Sequence, residues 1–377
     1  MSARFSLRRL GAMIRKEFIQ MRRDRLTFAM MLGVPVMQLI LFGYAINADP
    51  KFLPAAIHAQ DHSAFTRSFV KGMENSDYFR FVAEAASEAE AEEMIRSGKV
   101  QFVLHIPPQF SRDIERGLRP QILLDADATD PAATGNAAAS IQFLAASVLA
   151  RDLKGPLAAQ NTAAPVDVVI HRRYNAEGRT ELNIVPGLIG VILTMTMIIF
   201  TALAMTRETE RGTMENLLTM PVRPLEVMMG KILPYIIIGY VQTAVVLAAA
   251  WWLFEVPFTG SLGLLAFVLF FFVAANLAVG FTFSTLARNQ LQAVQMTIFF
   301  FLPSILLSGF MFPFRGMPEW AQWLGEALPL THFLRITRGI LLKGNGFPEI
   351  APDLAAILAF LLAVSLISLN RYRQTLD

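Results

Sequence analysis

Long runs of apolar residues without a single charge restrict most strongly how this chain can fold. A run of about 18 or more such residues can cross the roughly 30 Å hydrocarbon core of a bilayer as a helix. The sequence contains six of them, at Leu26–Asn47, Leu182–Thr206, Ile232–Phe254, Ser261–Ala287, Leu291–Phe312 and Leu354–Asn370. We therefore predict an α-helical integral membrane protein with six transmembrane helices.

The composition agrees with a membrane protein and excludes several other classes. Charged residues make up only 17% of the chain, whereas soluble domains carry roughly 25%. The net charge of +3 gives no reason to expect a nucleic-acid partner. The chain has no cysteine, which excludes disulfides, thiolate metal sites and cysteine nucleophiles.

The polar segment 48–181, between the first and second apolar runs, is long enough to fold as a domain. Short apolar runs predict strands at Leu53–Ala59, Phe79–Ala83, Val100–Ile106, Gln121–Asp125 and Val166–His171. Helix-start signals, including a capping box at Ser87 and Glu90, predict helices at Ser87–Ser97, Pro108–Arg116 and Asp130–Gly155. We predict an α/β domain inserted between transmembrane helices 1 and 2, with helices 2–6 in residues 182–377.

Lysine and arginine residues predict the orientation, because short cytoplasmic loops carry an excess of them. The strongest cluster lies in residues 1–25, followed by the loop 207–231 and the short C-terminal tail. We therefore expect both termini in the cytoplasm and the α/β domain on the extracytoplasmic side. The loop Pro313–Pro352 breaks the rule, since it is expected outside although it carries Arg315, Arg335, Arg338 and Lys343.

Two stretches beside the membrane show helical patterns. In residues 1–25, apolar side chains share one helical face and basic ones occupy the rest, which predicts a cytoplasmic amphipathic interfacial helix. An ordinary basic flank is the alternative. Residues 313–350 carry Trp320 and Trp323 before a helix restart at Pro329. Because tryptophan favours the headgroup level, we predict an outer helical hairpin rather than a plain surface loop.

The side chains that carry chemistry form no recognisable catalytic or metal site. The predicted spans hold no charged residue or histidine, which disfavours an ion-driven carrier, and the chain has no phosphate-binding loop of the G-x-x-x-x-G-K-[ST] type. Asp125, Asp127 and Asp130 are spaced like the start of a calcium loop but lack its glycine and closing glutamate. We expect His58 and His62 to be solvated surface residues. Any work this protein does must therefore be powered by a partner.

The cytoplasmic loop 207–231 is the surface where such a partner is expected to act. Gly212 interrupts the preceding helix, Thr213 can cap a short new helix, and Pro221 ends it. Met214, Leu217 and Leu218 would form its apolar face. A capped helix held between two spans can transmit a movement of a bound partner to the transmembrane helices. The alternative is a charged turn that only joins two helices.

Three motifs resemble the ABC-2 type transporter permeases, in particular the bacterial multidrug-efflux-like group with a large extracytoplasmic domain. They are RETERGTMENLLTMPVRPLEVMMGKILP at Arg207–Pro234, RKEFIQMRRDRLTFAMMLGVPVMQLILFGYAI at Arg15–Ile46 and MPEWAQWLGEALPLTHFLRITRGILLKG at Met317–Gly344. Together with the insert after the first span, the resemblance covers nearly the whole chain. It implies a permease subunit of the bacterial inner membrane, without an ATPase site of its own, that exports hydrophobic or amphipathic cargo such as drug-like compounds or lipids.

The resemblance also implies partners and site residues. The ATPase-coupling residues would be Arg207, Glu208, Arg211, Gly212, Thr213, Glu215, Leu218 and Pro221, and the interfacial connecting helix would present Arg15, Lys16 and Glu17. Candidate residues of a translocation path between spans two and five are Thr194, Thr196, Gln295, Phe299 and Phe300, although helix packing would explain them equally well. ATP and Mg²⁺ would bind the partner ATPase. A second permease subunit, identical or paralogous, and a periplasmic adaptor are further expected partners.

Two other function classes remain open from the sequence. One is a membrane receptor or scaffold whose outer domain binds a ligand without moving cargo. The other is an ion-coupled secondary carrier, which the uncharged spans disfavour.

Overall fold

The structure is a computed structural model that describes residues 50–153, 165–210 and 224–374, together with Met37 and Leu41. The described residues form an α/β domain followed by a set of long apolar helices. The predicted first span, 26–47, and the predicted interfacial helix, 1–25, lie outside the described residues apart from Met37 and Leu41.

A five-stranded mixed sheet forms the centre of the α/β domain. Its strands are β1 (Leu53–Ala59), β2 (Phe79–Glu84), β3 (Phe102–Ile106), β4 (Gln121–Asp127) and β5 (Asp167–Arg173), in the spatial order β2-β1-β3-β4-β5. The β3–β4 pair is antiparallel and the other pairs are parallel. All five predicted strands are confirmed, with ends that differ by no more than two residues.

Four helices of the α/β domain cover the sheet. They are α1 (Ala64–Glu74), α2 (Glu88–Arg96), α3 (Phe110–Glu115) and α4 (Pro131–Ser147), the last continuing as a 3₁₀ turn at Val148–Arg151. Helix α1 was missed by the sequence reasoning. Its start signal is present, because Ser63 accepts a hydrogen bond from the backbone N–H of Thr66. At α2 the predicted cap is confirmed, with Ser87 accepting from the N–H of Glu90.

The two faces of the sheet bury different sets of residues, because successive strand side chains point to opposite sides. On one face, Phe102 and Leu104 of β3 pack with side chains of α1, α3 and α4 such as Phe69, Phe110 and Ile141. On the other face, Val103 packs against α2. The same face carries the polar side chains of Asp125 and Asp127, and Asp127 contacts the segment between the membrane helices, as described below.

Five described helices are long and apolar enough to cross a membrane. They are α5 (Thr180–Glu210), α6 (Pro224–Phe254), α7 (Leu262–Leu286), α8 (Gln290–Leu307) and α11 (Phe347–Gln374), and they correspond to predicted spans two to six. Helix α7 is close to α5, since a Cβ on Gly280 would lie 2.6 Å from the carbonyl oxygen of Ile198.

A helical hairpin connects α8 to α11. Helix α8 ends at Leu307, five residues before the predicted end of the span, because Gly309 adopts a positive φ of 81°. Next come α9 (Glu319–Glu326), α10 (Pro329–Arg338) and a π-helical turn at Gly339–Lys343 that Gly344 ends with φ 71°. The π turn lets the chain reverse between α10 and α11. Phe333 of α10 stacks on Phe272 of α7, with ring centroids 4.0 Å apart, so the hairpin is packed into the helix set.

Candidate coupling and translocation surfaces

Most of the predicted ATPase-coupling residues lie outside the described part of the chain. Arg207 is described at the C-terminal end of α5, where its side chain is exposed, and Glu208 lies in the same final turn. Arg211, Gly212, Thr213, Glu215, Leu218 and Pro221 fall in the range 211–223, and Arg15, Lys16 and Glu17 fall in the range 1–36, both outside the described residues. The structure therefore places only the point where the coupling loop leaves α5.

That point is joined directly to α8. Glu210, the last residue of α5, accepts a hydrogen bond from the backbone N–H of Gln290 at 2.8 Å and from its side-chain amide at 2.5 Å. Both bonds lower the pKa of the Glu210 carboxyl, which is therefore ionised at neutral pH. The carboxylate satisfies the free N–H at the start of α8, where the helix dipole also favours a negative charge.

The start of α8 is ordered by further caps. Asn289 accepts a hydrogen bond from the N–H of Gln292 at 2.8 Å, and the Gln292 side chain in turn accepts from the N–H of Arg288 at 2.8 Å. Just inside the helices, the buried alanines Ala202 of α5 and Ala293 of α8 pack together. Small residues allow helix backbones to approach closely. The ends of α5 and α8 are thus joined by both packing and hydrogen bonds.

The two candidate path threonines on α5 face different neighbours. Thr194 is fully buried, and its hydroxyl has no hydrogen-bond partner among the described residues. Thr196 is half-buried and contacts Gln242 of α6, with 3.1 Å between the Thr196 hydroxyl and the Gln242 side-chain oxygen. Two positions along a helix are about 200° apart around its axis. The structure therefore does not bring Thr194 and Thr196 to a common surface.

The candidate path residues on α8 lie nearer the surface of the helix set. Phe299 is exposed, and Phe300 is half-buried with its ring edge against Phe283 of α7, 6.0 Å between centroids. Gln295 is half-buried. Leu291 and Ile298 continue the exposed apolar face that includes Phe299. Helix α8 packs against α5, whose Met195 and Phe200 are also exposed.

A second exposed apolar stripe runs along α6. Ile237, Val241, Val245 and Trp252 recur at helical spacing, and each exposes more than half of its side chain. Soluble monomers rarely expose contiguous patches of this kind. In a membrane helix such a stripe is covered by lipid tails or by another subunit.

The α/β domain rests on the hairpin and the start of α11. Lys343 of the π turn forms an ion pair with Asp127 at the end of β4, and both side chains are buried. Arg96, at the C-terminal end of α2, pairs with Glu349 of α11 at 2.9 Å. Arg315 donates to the carbonyl oxygen of Gly98, just beyond α2, at 2.8 Å. Sequence reasoning noted the unusual cations of this loop but assigned them no partners.

The polar face of the sheet holds an ionic cluster around Asp125. The carboxylate of Asp125 is buried and contacts His105 at 3.2 Å, His171 at 2.8 Å and Arg173 at 2.9 Å. His58 contacts His105, with 3.2 Å between the two Nδ1 atoms. His58 is buried, so the expectation that it is a solvated surface residue is wrong, whereas His62 is exposed as expected. His105 is also the register partner of His58 in the β1–β3 pair.

No group of three or more acidic or histidine side chains among the described residues is arranged to hold a metal ion. The three aspartates with calcium-loop spacing instead take protein partners. Asp125 binds the histidines and Arg173, Asp127 binds Lys343 and Thr129, and Asp130 accepts from the N–H of Ala132 at the start of α4.

Comparison with known proteins identifies the family that this chain resembles. A family model described as ABC-2 family transporter protein matches residues 25–370. The chain is 29% identical to the probable multidrug ABC transporter permease YbhR of Escherichia coli K12 over 335 residues, covering 89% of this chain and 90% of YbhR. It is likewise 29% identical to the probable multidrug ABC transporter permease YbhS of the same strain over 347 residues, or 90% of each chain. It is 30% identical to the inner membrane transport permease YhhJ of that strain over 333 residues, or 86% of each chain.

Proposed function

The chain belongs to the ABC-2 family of transporter proteins, and on that premise we propose that it exports hydrophobic or amphipathic molecules, such as drug-like compounds or lipids. As an ABC-2 permease it is a multi-pass inner-membrane subunit that works with an ABC ATPase subunit. The word multidrug in the names of YbhR and YbhS supports the choice of cargo. Family membership disfavours the receptor and ion-coupled carrier alternatives.

The coupling loop is proposed to dock on the ATPase through Glu208, Gly212 and the neighbouring residues named above, with Arg15, Lys16 and Glu17 as a second contact. The double hydrogen bond from Gln290 to Glu210 supports the transmission of such docking to the helices, whereas the docking residues themselves follow from the resemblance to the family. Because Glu210 lies where the loop leaves α5, a push on the loop would move α5 and α8 together.

Helices α5 and α8 are proposed to border the translocation path. They pack against each other and present exposed apolar side chains, among them Phe200 and Phe299. An apolar surface of this kind suits amphipathic cargo and would be covered by a second permease subunit, identical or paralogous. Of the five candidate path residues, exposed Phe299 fits this role best, whereas fully buried Thr194 fits a packing role.

The chain itself is proposed to have no catalytic, cofactor or metal site, so ATP and Mg²⁺ would bind only the partner ATPase. A periplasmic adaptor is a further proposed partner, bound through the α/β domain.

The proposed topology has six spans, with 26–47 as the first, both termini in the cytoplasm and the α/β domain, 48–181, outside. The contacts of the α/β domain with the hairpin support it, because Lys343 and Arg315 reach that domain from the connection between α8 and α11. Five spans that alternate in direction put the start of α5, the hairpin and the start of α11 at one end of the helix set, opposite Glu210.

The test is to purify the chain with its partner ABC ATPase and to replace two loop residues, Glu208→Ala and Gly212→Ala. We expect weaker complex formation and loss of ATPase activity that depends on the permease. Matched controls are Glu177→Ala in an exposed turn and Gly135→Ala in α4, where an added Cβ meets nothing within 4 Å. If the loop variants bind and stimulate the ATPase as well as these controls do, the coupling assignment is wrong.

A further inference from the structure

A polar cavity of about 520 Å³ lies where the α/β domain meets the hairpin and the start of α11. Its walls come from the C-terminal end of α2, the end of β4, the hairpin and the first turns of α11. Cavities that hold small ligands are of this size, about 300–1,000 Å³. It lies at the end of the helix set opposite Glu210, far from the proposed coupling surface.

Five cations line the cavity, and three of them are paired with carboxylates. Arg96 binds Glu93 and Glu349, Arg335 binds Glu326 at 2.5 Å and Asp353 at 3.5 Å, and Lys343 binds Asp127. The carboxylates that line the cavity all have protein partners. Besides the pairs just named, Asp353 binds His332 at 2.7 Å, and Asp130 accepts a hydrogen bond from the N–H of Ala132.

The other two cations, Arg315 and Arg338, have only carbonyl partners among the described residues. Arg315 donates to the backbone oxygen of Gly98 at 2.8 Å. Arg338 donates from Nε to the backbone oxygen of Asn183 at 3.3 Å and from Nη1 to that of Gly309 at 3.1 Å. Its Nη2 atom is buried and has no hydrogen-bond partner within the described part of the chain.

A buried guanidinium without a counter-charge is costly. Arginine remains protonated in proteins, and burying a charge without pairing it is unfavourable. Burial lowers the pKa of Arg338, and the charges of Asp130 and Asp127 offset part of that lowering. Arg315 is exposed. Arg338 thus has carboxylates nearby but forms no direct ion pair with one among the described residues.

Two amide side chains that line the same cavity each have an oxygen without a partner among the described residues. The side-chain oxygens of Gln101 and Asn345 are buried without a hydrogen bond to a described residue. The oxygen and nitrogen of such an amide can exchange places by a rotation of the side chain. Each amide can therefore turn its NH₂ group towards a ligand oxygen and add a donor to those of the two arginines.

We propose that this cavity binds a phosphate group between Arg315 and Arg338. A phosphate offers several oxygens that accept charge-assisted hydrogen bonds from guanidinium groups, and it would give Arg315 and Arg338 a direct anionic partner, which neither has among the described residues. Two sources share this chemistry, the headgroup of a phospholipid and free inorganic phosphate. The exposed Trp323 on α9, a residue type that favours the headgroup level, is consistent with the first source.

The experiment measures thermal unfolding of the full chain in an uncharged detergent and a phosphate-free buffer. One arm adds inorganic phosphate, a second adds short-chain phosphatidylglycerol, and a third adds an uncharged glycolipid with the same acyl chains. A ligand that binds only the folded state raises the Tm. We expect a rise with phosphatidylglycerol, larger than any rise with the glycolipid. A rise with inorganic phosphate as well would show that the free anion suffices.

Variants of the two arginines test whether the phosphate binds at the proposed position. We expect Arg315→Gln and Arg338→Gln each to raise by about tenfold the concentration that gives half of the Tm shift, since each removes a charged hydrogen-bond donor. Arg67→Gln is the matched control, because Arg67 is exposed on α1 and donates only to the backbone oxygen of His62. If Arg338→Gln does not fold, Arg315→Gln and the charge-conserving Arg338→Lys decide the question.

Two results would overturn the proposal: no Tm shift with either phosphate-bearing probe, or an undiminished shift in Arg315→Gln. The measurement needs no ATPase and no transport. Its failure would therefore leave the proposed export function in place, and failure of the coupling test would leave this site in place.

Discussion

Glu210 at the end of α5 holds the first residue of α8, Gln290, through both its backbone and its side-chain amide. The residues are 80 positions apart in the chain. The link joins the two helices at the place where the coupling loop begins. It gives a physical route by which one docking event can move both helices that are proposed to border the path.

Weakening this link should reduce coupling in a graded way. Glu210→Gln keeps one acceptor oxygen, Glu210→Ala removes both, and Gln290→Glu places a second carboxylate against the first. We expect transport per ATP hydrolysed to fall slightly in the first variant and several-fold in the other two, measured in vesicles containing permease and ATPase. Binding of the ATPase should be unchanged, because the proposed docking residues are intact. The proposed route would be contradicted if all three variants transported as much cargo per ATP hydrolysed as the natural chain.

Close packing of α7 on α5 should not tolerate a methyl group at Gly280. Its Cβ would lie 2.6 Å from the carbonyl oxygen of Ile198 and 2.9 Å from the Cβ of Thr201. We expect Gly280→Ala to destabilise the protein by about 1–3 kcal/mol, as overpacking does in a close-packed core. The measurement is denaturant unfolding of the purified chain in detergent.

Gly263→Ala is the control for Gly280→Ala on the same helix. The nearest atom to its added Cβ is the hydroxyl oxygen of Ser261, at 3.6 Å, an ordinary contact. An equal loss of stability in both variants would mean that glycine content, rather than the close approach of α7 to α5, decides the effect.

Lys343 and Asp127 should contribute to stability mainly as a pair. Their side chains are only 9% and 8% exposed. Lys343→Met leaves the Asp127 carboxylate buried without its cation, and breaking a buried pair in this way costs about 3–5 kcal/mol. We expect the double variant Lys343→Met with Asp127→Asn to recover a large part of that loss in the unfolding measurement.

An exposed pair provides the comparison for the Lys343 variants. Lys71 and Glu74 lie on the surface of α1 at 2.7 Å, and exposed pairs contribute little to stability. Lys71→Met should therefore change the unfolding midpoint only slightly. A double variant no more stable than Lys343→Met alone would show that the two residues act independently.

Asp125 should make the α/β domain sensitive to acid. Burial by itself would raise the pKa of Asp125, but hydrogen bonds from His105, Arg173 and His171 outweigh it and lower the pKa well below its usual range. A lowered folded-state pKa gives stability that is present above the unfolded value of about 3.9 and is lost as pH falls below it.

Near-UV circular dichroism of the full chain in detergent, recorded between neutral and acid pH, tests this prediction. Asp125→Asn should be less stable than the natural chain at pH 7, and the difference should shrink as the pH falls below about 4. If the stability difference between Asp125→Asn and the natural chain is the same at every pH, the charge of Asp125 does not contribute to that difference.

Local features of the sequence predicted most of the elements but only some of their ends. The strand Leu53–Ala59 was predicted with both ends correct, and the polar Gln60 directly follows its last residue. The predicted span ending at Phe312 stops instead at Leu307, since the backbone turns at Gly309 while the apolar character continues. Hydropathy records which residues avoid water, and it does not record where a helix ends inside an apolar stretch.

The candidate functional residues likewise divide into those that the sequence pattern indicated and contacts that only the structure shows. The sequence pattern singled out the coupling loop and the unusual cations of the outer loop. The pattern could not show that Glu210 accepts hydrogen bonds from Gln290, or that His58 contacts His105, because the two residues of each pair are far apart in the chain.

The sequence alone determined that the chain has long membrane-spanning helices and a separate α/β domain, because both follow from the polarity of neighbouring residues. Only the tertiary structure decided which charges meet. Lys343 and Asp127 are 216 positions apart, and Arg338 reaches the carbonyl oxygens of Asn183 and Gly309 only once α5, α8 and α10 have packed. Charges on distant segments become partners, or remain without one, through the three-dimensional arrangement of the helices, and no local pattern contains that arrangement.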